Sequence, residues 1–217
     1  MKHKSPLISS DLIATHPEHK HWDLLINRNG ESTKILNVGS GSTRLDKKVT
    51  NLDVFPFPNV DIVADAHSIP LPDNSYDSVW IEAVLEHVKD PIKVVSEIYR
   101  VLKPGGYVFA VVPFVHKYHE HPNDYQRYTL NGLDELFHRF KKVESGVYRG
   151  PTSALISFLA DYTTLFTFTS NKKINFVIRG ITTCICFPLK FLDKILVKNK
   201  RAHELSNALY YLARKES

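Results

Sequence analysis

The densest group of chemically active side chains lies between residues 113 and 129. It places histidines, acidic residues and an arginine in one short stretch: His116, His119, Glu120, His121, Asp124 and Arg127. An imidazole or a carboxylate can remove a proton from a substrate hydroxyl, and a carboxylate can orient an imidazole that does so. We therefore predict His119 as the base, with Asp124 as its partner or substitute. The guanidinium of Arg127 is suited to holding a phosphate or carboxylate group.

Two other interpretations of this segment remain open. The first is a metal site built from His116, His119, Glu120 and His121, but their spacing differs from the i, i+4 helical pair of metal hydrolases, and we expect no metal. The second is structural, with an Asp124–Arg127 ion pair at the start of a helix from Thr129.

A second group of candidates follows short apolar runs. Gly39 and Gly41 end the run at 35–38, and glycine allows close approach of a ligand and positive φ. Asp53 ends the next run, and its carboxylate can accept hydrogen bonds from both hydroxyls of a ribose. The carboxylate of Asp65 can accept a hydrogen bond from the exocyclic amine of a base. The alternatives are a tight turn at the glycines and Asx turns at the carboxylates. A dinucleotide is disfavoured, because its third glycine and full helix are missing.

A sheet is needed to bring these residues together. Asp90 and Thr129 are predicted to cap helices over 91–102 and 129–140. Short runs that are apolar on both faces are typical of buried parallel strands. Strands that alternate with helices predict an α/β sheet with helices on both faces. The runs lie at 35–38, 49–52, 60–63, 76–83, 107–113, 143–148 and 209–213.

One connection is too short for an ordinary crossover. Only residues 42–48 separate Gly41 from the second strand, whereas parallel crossovers take about a dozen residues or more. We expect a helix of one turn there, or none.

Composition and charge narrow the class of protein. Of 217 residues, 43% are hydrophobic and 24% charged, which is ordinary for a folded protein. Two cysteines exclude a disulfide framework and a four-cysteine zinc site, and favour a reducing compartment. We expect no secretory signal at 1–10. Residues 150–217 hold ten basic and four acidic residues, so the net charge of +5 belongs to the C-terminal third and a nucleic-acid binder is not favoured.

The segment 151–205 is apolar, aromatic and basic. Two or three helices are predicted, with breaks near 170–171 and at Pro188. Four interpretations of the segment are open: a lid, a dimer surface, a membrane-facing surface and an ordinary helical cap. Each basic residue near an anionic membrane contributes about 1 kcal/mol. No charge-free run reaches the roughly 18–20 residues that span a bilayer.

Six short blocks follow one another in a fixed order along the chain. They are 35–41 (ILNVGSG), 51–53 (NLD), 64–66 (ADA), 69–79 (IPLPDNSYDSV), 85–88 (LEHV) and 100–106 (RVLKPGG). In this order and spacing they are similar to class I S-adenosylmethionine-dependent methyltransferases, of the branch typified by the methyltransferase type 11 domain. The resemblance covers about 34–148, and 209–215 is similar to that fold's reversed last strand. We interpret the block at 85–88 as structural, with His87 at a helix start or in packing.

The resemblance implies a fold and a cofactor site. The fold is a Rossmann-like seven-stranded sheet with its last strand antiparallel, formed by 34–150 and 206–217. Residues 1–33 are an N-terminal extension and 151–205 a helical insertion before the last strand. The cofactor is S-adenosylmethionine. Its binding residues are Asn37, Gly39, Ser40 and Gly41 at the methionine part, Asp53 at the ribose, Asp65 and Ala66 at the adenine, and Ile81 and Glu82 at the methyl group.

Two departures from the family pattern concern this site. Asn37 stands where the family usually has an acidic residue that helps hold the cofactor's ammonium group, and the helix after the glycines is missing. Neither departure removes the ribose or adenine contacts.

The loop after the fifth strand suggests an acceptor. It resembles loops in methyltransferases of surface-polysaccharide and glycolipid synthesis, which implies acceptor contacts for Arg127 and Tyr128. We expect O-methylation of a saccharide or glycolipid intermediate, a small or lipid-linked substrate. The alternatives are methylation of a quinone or lipid precursor, and a non-catalytic cofactor-binding protein. The expected location is cytoplasmic, with 151–205 as a peripheral contact to the inner membrane face, and no nucleic-acid partner is expected.

Overall fold

The computed structural model describes residues 21, 24–25, 32–120 and 122–216. Seven strands form one sheet in the order β3-β2-β1-β4-β5-β7-β6. This confirms the predicted seven-stranded α/β fold. The strands are β1 (Ile35–Val38), β2 (Val49–Asp53), β3 (Ile62–Val63), β4 (Tyr76–Glu82), β5 (Leu102–Pro113), β6 (Lys141–Arg149) and β7 (Ala208–Arg214).

The directions of the strands show at which edge of the sheet the candidate site lies. β1 pairs in parallel with β2 on one side and β4 on the other, and β4 pairs in parallel with β5. The strand order reverses beside β1, and ligands of open α/β sheets bind at the carboxyl ends of strands at such a point. β7 runs against β5: Lys215 exchanges hydrogen bonds with Gly105 and Gly106 near the start of β5, whereas the Val115 N–H donates to Ser206 past its end. The last strand is therefore antiparallel, as predicted.

Two helices lie between strands of the sheet. α1 (Pro91–Val101) begins at Asp90, whose side chain accepts from the Lys93 N–H at 2.9 Å. α2 (Leu130–Leu136) begins at Thr129, whose hydroxyl accepts from the Gly132 N–H at 3.1 Å. Both predicted caps are confirmed.

Two boundaries differ from the sequence-based expectation by four or more residues, and the others by one or two. β5 begins at Leu102 rather than Tyr107, because Leu102 already pairs with Tyr76 of β4. The α-helix α2 ends at Leu136 rather than 140, because the following residues form turns in which the Phe140 N–H donates to the Phe137 carbonyl at 2.8 Å. Both phenylalanines are buried in the core.

The chain divides into two compact units. Of the described residues, the sheet unit holds those within 17–114, 118–146 and 209–217, and the helical unit holds 115–117 and 147–208. Residues 1–16 lie outside the described residues. The predicted helix over 17–29 also lies mostly outside them. Its described positions, His21, Leu24 and Leu25, are helical, and Leu25 is fully buried.

In the described part of the helical unit there are three α-helices and two 3₁₀ segments. They are α3 (Pro151–Leu165), α4 (Lys172–Cys186), a 3₁₀ segment (Phe187–Leu192), α5 (Asp193–Leu196) and a 3₁₀ segment (Ala202–Glu204). The predicted break near 170–171 is confirmed, since Asn171 caps α4 by accepting from the Lys173 N–H at 3.0 Å. Near the break predicted at Pro188, α4 ends at Cys186 and a 3₁₀ segment begins at Phe187.

A buried carboxylate fixes the start of α3. Asp193 is fully buried and accepts from the Thr152 N–H at 2.8 Å and from the Ser153 N–H at 3.0 Å. A Cβ on Gly150 would lie 2.4 Å from the Asp193 carboxyl carbon, so only glycine fits there. A second carboxylate, Asp161, pairs with both Lys117 and Arg179 within this unit.

Candidate active site

The turn after β1 forms the floor of the site. Gly39 has φ of +71° and its N–H donates to the Leu52 carbonyl of β2 at 2.8 Å. A Cβ on Gly39 would lie 2.2 Å from Cγ2 of Val84, so a side chain is excluded by sterics as well as by conformation. The Ser40 N–H donates to the same carbonyl at 3.2 Å. Gly41, with φ of +53°, differs because a Cβ there would meet nothing within 4 Å.

Asp53 lies beside this open space at the end of β2. Its carboxylate is buried and accepts from the Gly41 N–H at 2.8 Å and the Phe55 N–H at 2.9 Å. The strand-end turn considered from the sequence is therefore present. Each carboxylate oxygen has a second acceptor site, so Asp53 can hold the glycine turn and still accept two ribose hydroxyls.

Asn37 lies beneath the turn in a buried polar network. Its Nδ2 donates to Oδ1 of Asn51, its partner on β2, at 3.2 Å. Asn51 in turn donates to the carbonyls of Thr43 and Asn59 at 3.1 and 3.0 Å. Asn37 is thus connected to the residues after the turn by hydrogen bonds among uncharged groups.

A polar network occupies the place of the missing helix. All of residues 42–48 are described, and none of them is helical, as predicted. The Arg44 guanidinium donates to the Val49 carbonyl at 2.9 Å, the Asn59 carbonyl at 2.7 Å and Oδ1 of Asp61 at 2.7 Å. The hydrogen bond from Arg44 lowers the pKa of Asp61. One arginine therefore ties the glycine turn to the loop before β3.

The proposed adenine residues follow β3. Asp65 accepts from the His67 N–H at 2.8 Å and contacts Nδ1 of the same histidine at 2.6 Å, which makes the Asx turn considered as an alternative. The backbone and side-chain bonds from His67 lower the pKa of Asp65, whose side chain is mostly exposed. Ala66 is buried beside it. The exposed carboxylate oxygens keep Asp65 a candidate acceptor for an amine.

The proposed methyl-group residues end β4. Ile81 is buried and Glu82 is half-buried, with Oε2 accepting from Trp80 Nε1 at 3.3 Å. The next residue, Ala83, has φ of +52°, which turns the chain sharply away from the strand.

The predicted catalytic residues come together. Nδ1 of His119 lies 3.4 Å from Oδ2 of Asp124, and the His119 N–H donates to the same oxygen at 2.8 Å. Arg127 binds both oxygens of Asp124, with NH2 to Oδ2 at 2.6 Å. Hydrogen bonds from Arg127 hold the pKa of Asp124 well below its usual range. Asp124 is therefore an ionised group that can orient the imidazole.

The other contacts of this loop support the structural alternative. Tyr128 is half-buried, with its hydroxyl 3.4 Å from the Leu85 carbonyl, and burial raises its pKa. The Asp124–Arg127 pair considered as a structural alternative is formed. The metal set considered from the sequence is not gathered among the described residues, where the Glu120 carboxylate instead accepts from the Tyr118 hydroxyl at 2.6 Å. His121 lies outside the described residues.

Glu86 is a site residue that the sequence analysis missed. Its carboxylate is completely buried, and no other residue in the described part of the chain donates a hydrogen bond to either oxygen. Burial raises its pKa to about 7, although its own backbone N–H and the charge of Arg127 lower it, and the charges of Asp124 and Glu82 raise it further. Nε2 of His87 and Nε2 of His119 lie 3.6 and 3.8 Å from Oε1 of Glu86. A glutamate–histidine pair flanked by apolar residues, in the sequence Val84-Leu85-Glu86-His87-Val88, was the available signal.

Part of the chain is similar in sequence to known proteins. Residues 30–110 match the family model described as a methyltransferase domain. A demethylmenaquinone methyltransferase of Listeria monocytogenes serotype 4a (strain HCC23) is 36% identical over 95 residues, which is 42% of this chain and 39% of that protein. A demethylmenaquinone methyltransferase of Renibacterium salmoninarum is 29% identical over 133 residues, 59% of this chain and 56% of that protein. The matches thus span little more than half of these relatives at most.

A solved structure shows the same fold. The 1,6-didemethyltoxoflavin-N1-methyltransferase of Burkholderia thailandensis, solved with S-adenosylhomocysteine, aligns with a TM-score of 0.52 at 15% identity, over 85% of this chain and 71% of that one. At this identity the likeness concerns the fold alone. Residues 30–110 thus match a methyltransferase domain, and the strand order and the glycine turn with its strand-end carboxylate suit the cofactor of such a domain, S-adenosylmethionine.

Proposed function

We propose that the protein transfers a methyl group from S-adenosylmethionine to a lipid-borne acceptor at a membrane surface. The cofactor supplies the methyl group from its sulfonium. The observation that carries the membrane part is the exposed apolar surface of the helical unit. None of the fifteen residues of α4 is buried.

The binding of the cofactor rests on the turn between β1 and β2. Positive φ at Gly39 and Gly41 exposes the turn's backbone, and the space in front of Gly41 is open. Asp53 borders that space with acceptor positions for a ribose. The residues present therefore fit the cofactor, with Asn37 contributing no charge to the ammonium group.

The helical unit supports a lipid environment for the acceptor. Among the described residues one helical segment, Lys172–Leu196, is long and apolar enough to cross a membrane, and 6% of its most apolar stretch is buried. A helix with apolar and basic faces can also lie in the interface. Its exposed and half-buried basic residues, Lys172, Lys173, Arg179 and Lys194, suit an anionic membrane surface. We favour an interfacial position for this segment, because these charges are spread along it.

The relatives refine the acceptor class. Those reported above are named for a quinone substrate, which favours the quinone or lipid-precursor alternative over the saccharide expected from the 119–129 loop. Both acceptors have a lipid-borne form, and it is this shared property that we propose.

Within this proposal His119 removes the proton from an acceptor hydroxyl. Its Nδ1 faces Asp124, which is ionised and fixed by Arg127, so the imidazole is held in one orientation. Arg127 and Tyr128 border the same group and remain the proposed acceptor contacts.

The experiment is methyl transfer from tritium-labelled S-adenosylmethionine to cell extracts divided into organic-soluble lipids and aqueous small molecules. We expect label in the lipid fraction, and chromatography of the product separates an aromatic quinone precursor from a lipid-linked saccharide. Replacing the proposed base, His119→Ala, is expected to lower the rate by about 10²–10⁴-fold. Label confined to the aqueous fraction would contradict the lipid acceptor, and no label in either fraction would contradict methyl transfer.

A further inference from the structure

We propose that Glu86, His87 and His119 form a binding site for a divalent transition-metal ion such as Zn²⁺. Each residue offers one ligand atom, and the three atoms lie within 4.8 Å of one another. This set shares only His119 with the ligands considered from the sequence. The mixture of imidazole nitrogen and carboxylate oxygen is one that zinc accepts.

The distances suit a small ion. Oε1 of Glu86 is 3.6 Å from Nε2 of His87 and 3.8 Å from Nε2 of His119. Zinc binds nitrogen and oxygen at about 2.0–2.2 Å, so ligand atoms in a tetrahedral site are about 3.4 Å apart. Small side-chain rotations would close the difference.

Both imidazoles are oriented with Nε2 toward the glutamate. Nδ1 of His87 lies 2.5 Å from the Asn123 carbonyl oxygen, so Nδ1 carries the proton and Nε2 has a free lone pair. Nδ1 of His119 faces Asp124 at 3.4 Å, although the NH2 of Arg127 also lies 3.4 Å from this nitrogen. A carbonyl or carboxylate at the second nitrogen is the usual support for a metal-binding histidine.

Glu86 supplies the independent observation. It is completely buried, and no other described residue donates a hydrogen bond to its carboxylate. Buried charges in proteins are paired or coordinate metals. A bound cation would supply the partner that no other described residue supplies.

Three protein ligands leave one position of a tetrahedral ion open. With the ion bound, His119 is a ligand, so the proton-removing role proposed above belongs to the metal-free chain. The metal site itself does not rest on the proposed function.

The test is Zn²⁺ binding to the untagged full chain after removal of metals with a chelator. Calorimetry and elemental analysis are expected to give one Zn²⁺ per chain, and Glu86→Gln and His87→Gln are each expected to weaken binding at least 100-fold. Asp124→Asn, which removes the support of His119, is expected to cost about 10–100-fold. The control His138→Ala changes an exposed histidine after α2 and should bind as the wild type does.

Two further measurements, of thermal unfolding and of cofactor binding, distinguish loss of the metal site from loss of the fold or of the cofactor site. Zn²⁺ should raise the Tm of the wild type but not of the two ligand variants, which also shows that they fold. Absence of Zn²⁺ binding by the wild type, or equal binding by folded Glu86→Gln and His87→Gln, would overturn the site. S-adenosylhomocysteine binding, measured on the same samples, separates failure of this site from failure of the proposed function.

Discussion

Two glycines in one turn have different roles at the residue scale. A Cβ on Gly39 would lie 2.2 Å from Val84, whereas a Cβ on Gly41 would point into open space. Both residues have positive φ, which costs a non-glycine residue about 1–2 kcal/mol. Their substitution by alanine therefore separates folding from cofactor binding.

We expect Gly39→Ala to destabilise the protein by about 3 kcal/mol or more, because strain and steric overlap add. Gly41→Ala should lose only about 1–2 kcal/mol of stability, yet weaken S-adenosylhomocysteine binding at least tenfold, because its methyl group enters the space in front of the turn. Denaturant unfolding and calorimetry measure the two effects. Equal destabilisation by both changes, with cofactor affinity preserved in Gly41→Ala, would show that the open space is not the cofactor site.

At the element scale, one glutamate joins α1 to the loop that carries Asp65. Glu97 accepts from the Ile69 N–H at 2.9 Å and from Nε and NH2 of Arg100 at 3.0 and 2.9 Å. The hydrogen bond from Arg100 lowers the pKa of Glu97 below its ordinary value of 4.5. A carboxyl with a lowered native pKa stabilises the fold above its unfolded pKa, and this stabilisation is lost as the pH falls through the native pKa.

We therefore expect Glu97→Gln to lower the free energy of unfolding by about 2 kcal/mol at pH 7, as for other buried charge-assisted hydrogen bonds. The difference from the wild type should shrink below about pH 4.5 as the wild-type carboxylate is protonated. Urea unfolding across this range measures it, with exposed Glu135→Gln as a control expected to change stability by less than about 0.5 kcal/mol. A pH-independent difference would contradict an ionic role.

The elements also show how far the sequence alone could predict this protein. Short apolar runs ending in Gly39, Asp53 and Asp65 predicted the strands and the edge where the site lies, because strand burial and turn chemistry are local properties. The Arg44 network could not be predicted, since its partners Asn59 and Asp61 meet Arg44 only after β2 and β3 pair.

The same distinction explains the missed glutamate. Glu86 and His87 are neighbours in sequence, but His119 reaches them from a loop more than thirty residues away. No periodicity or spacing connects those positions. By contrast, the pairing of His119 with Asp124 lies within one loop and was predicted from residue types alone.

At the scale of the whole molecule, charge and apolar surface coincide in the helical unit. The C-terminal third carries the excess of basic residues, and the exposed large apolar side chains of α4 lie in the same segment. Both properties favour binding to an anionic membrane surface.

We expect the protein to co-sediment with vesicles that contain anionic lipid, with binding that weakens as salt rises. Reversing two charges at the start of α4, Lys172→Glu with Lys173→Glu, should weaken binding about thirtyfold or more, since each basic residue contributes about 1 kcal/mol. The matched control, Lys47→Glu with Lys48→Glu, reverses two exposed charges in the sheet unit and should bind as the wild type does. Equal loss in both variants would indicate attraction by net charge alone.

The central claim is that the turn after β1 and the carboxylate after β2 hold S-adenosylmethionine. Calorimetric titration of S-adenosylhomocysteine into the wild type and into Asp53→Ala tests it most directly, with Glu135→Ala as the control. We predict micromolar binding by the wild type and the control, and a loss of at least tenfold in Asp53→Ala. Absence of binding by the folded wild type, or equal affinity in Asp53→Ala, would contradict the claim.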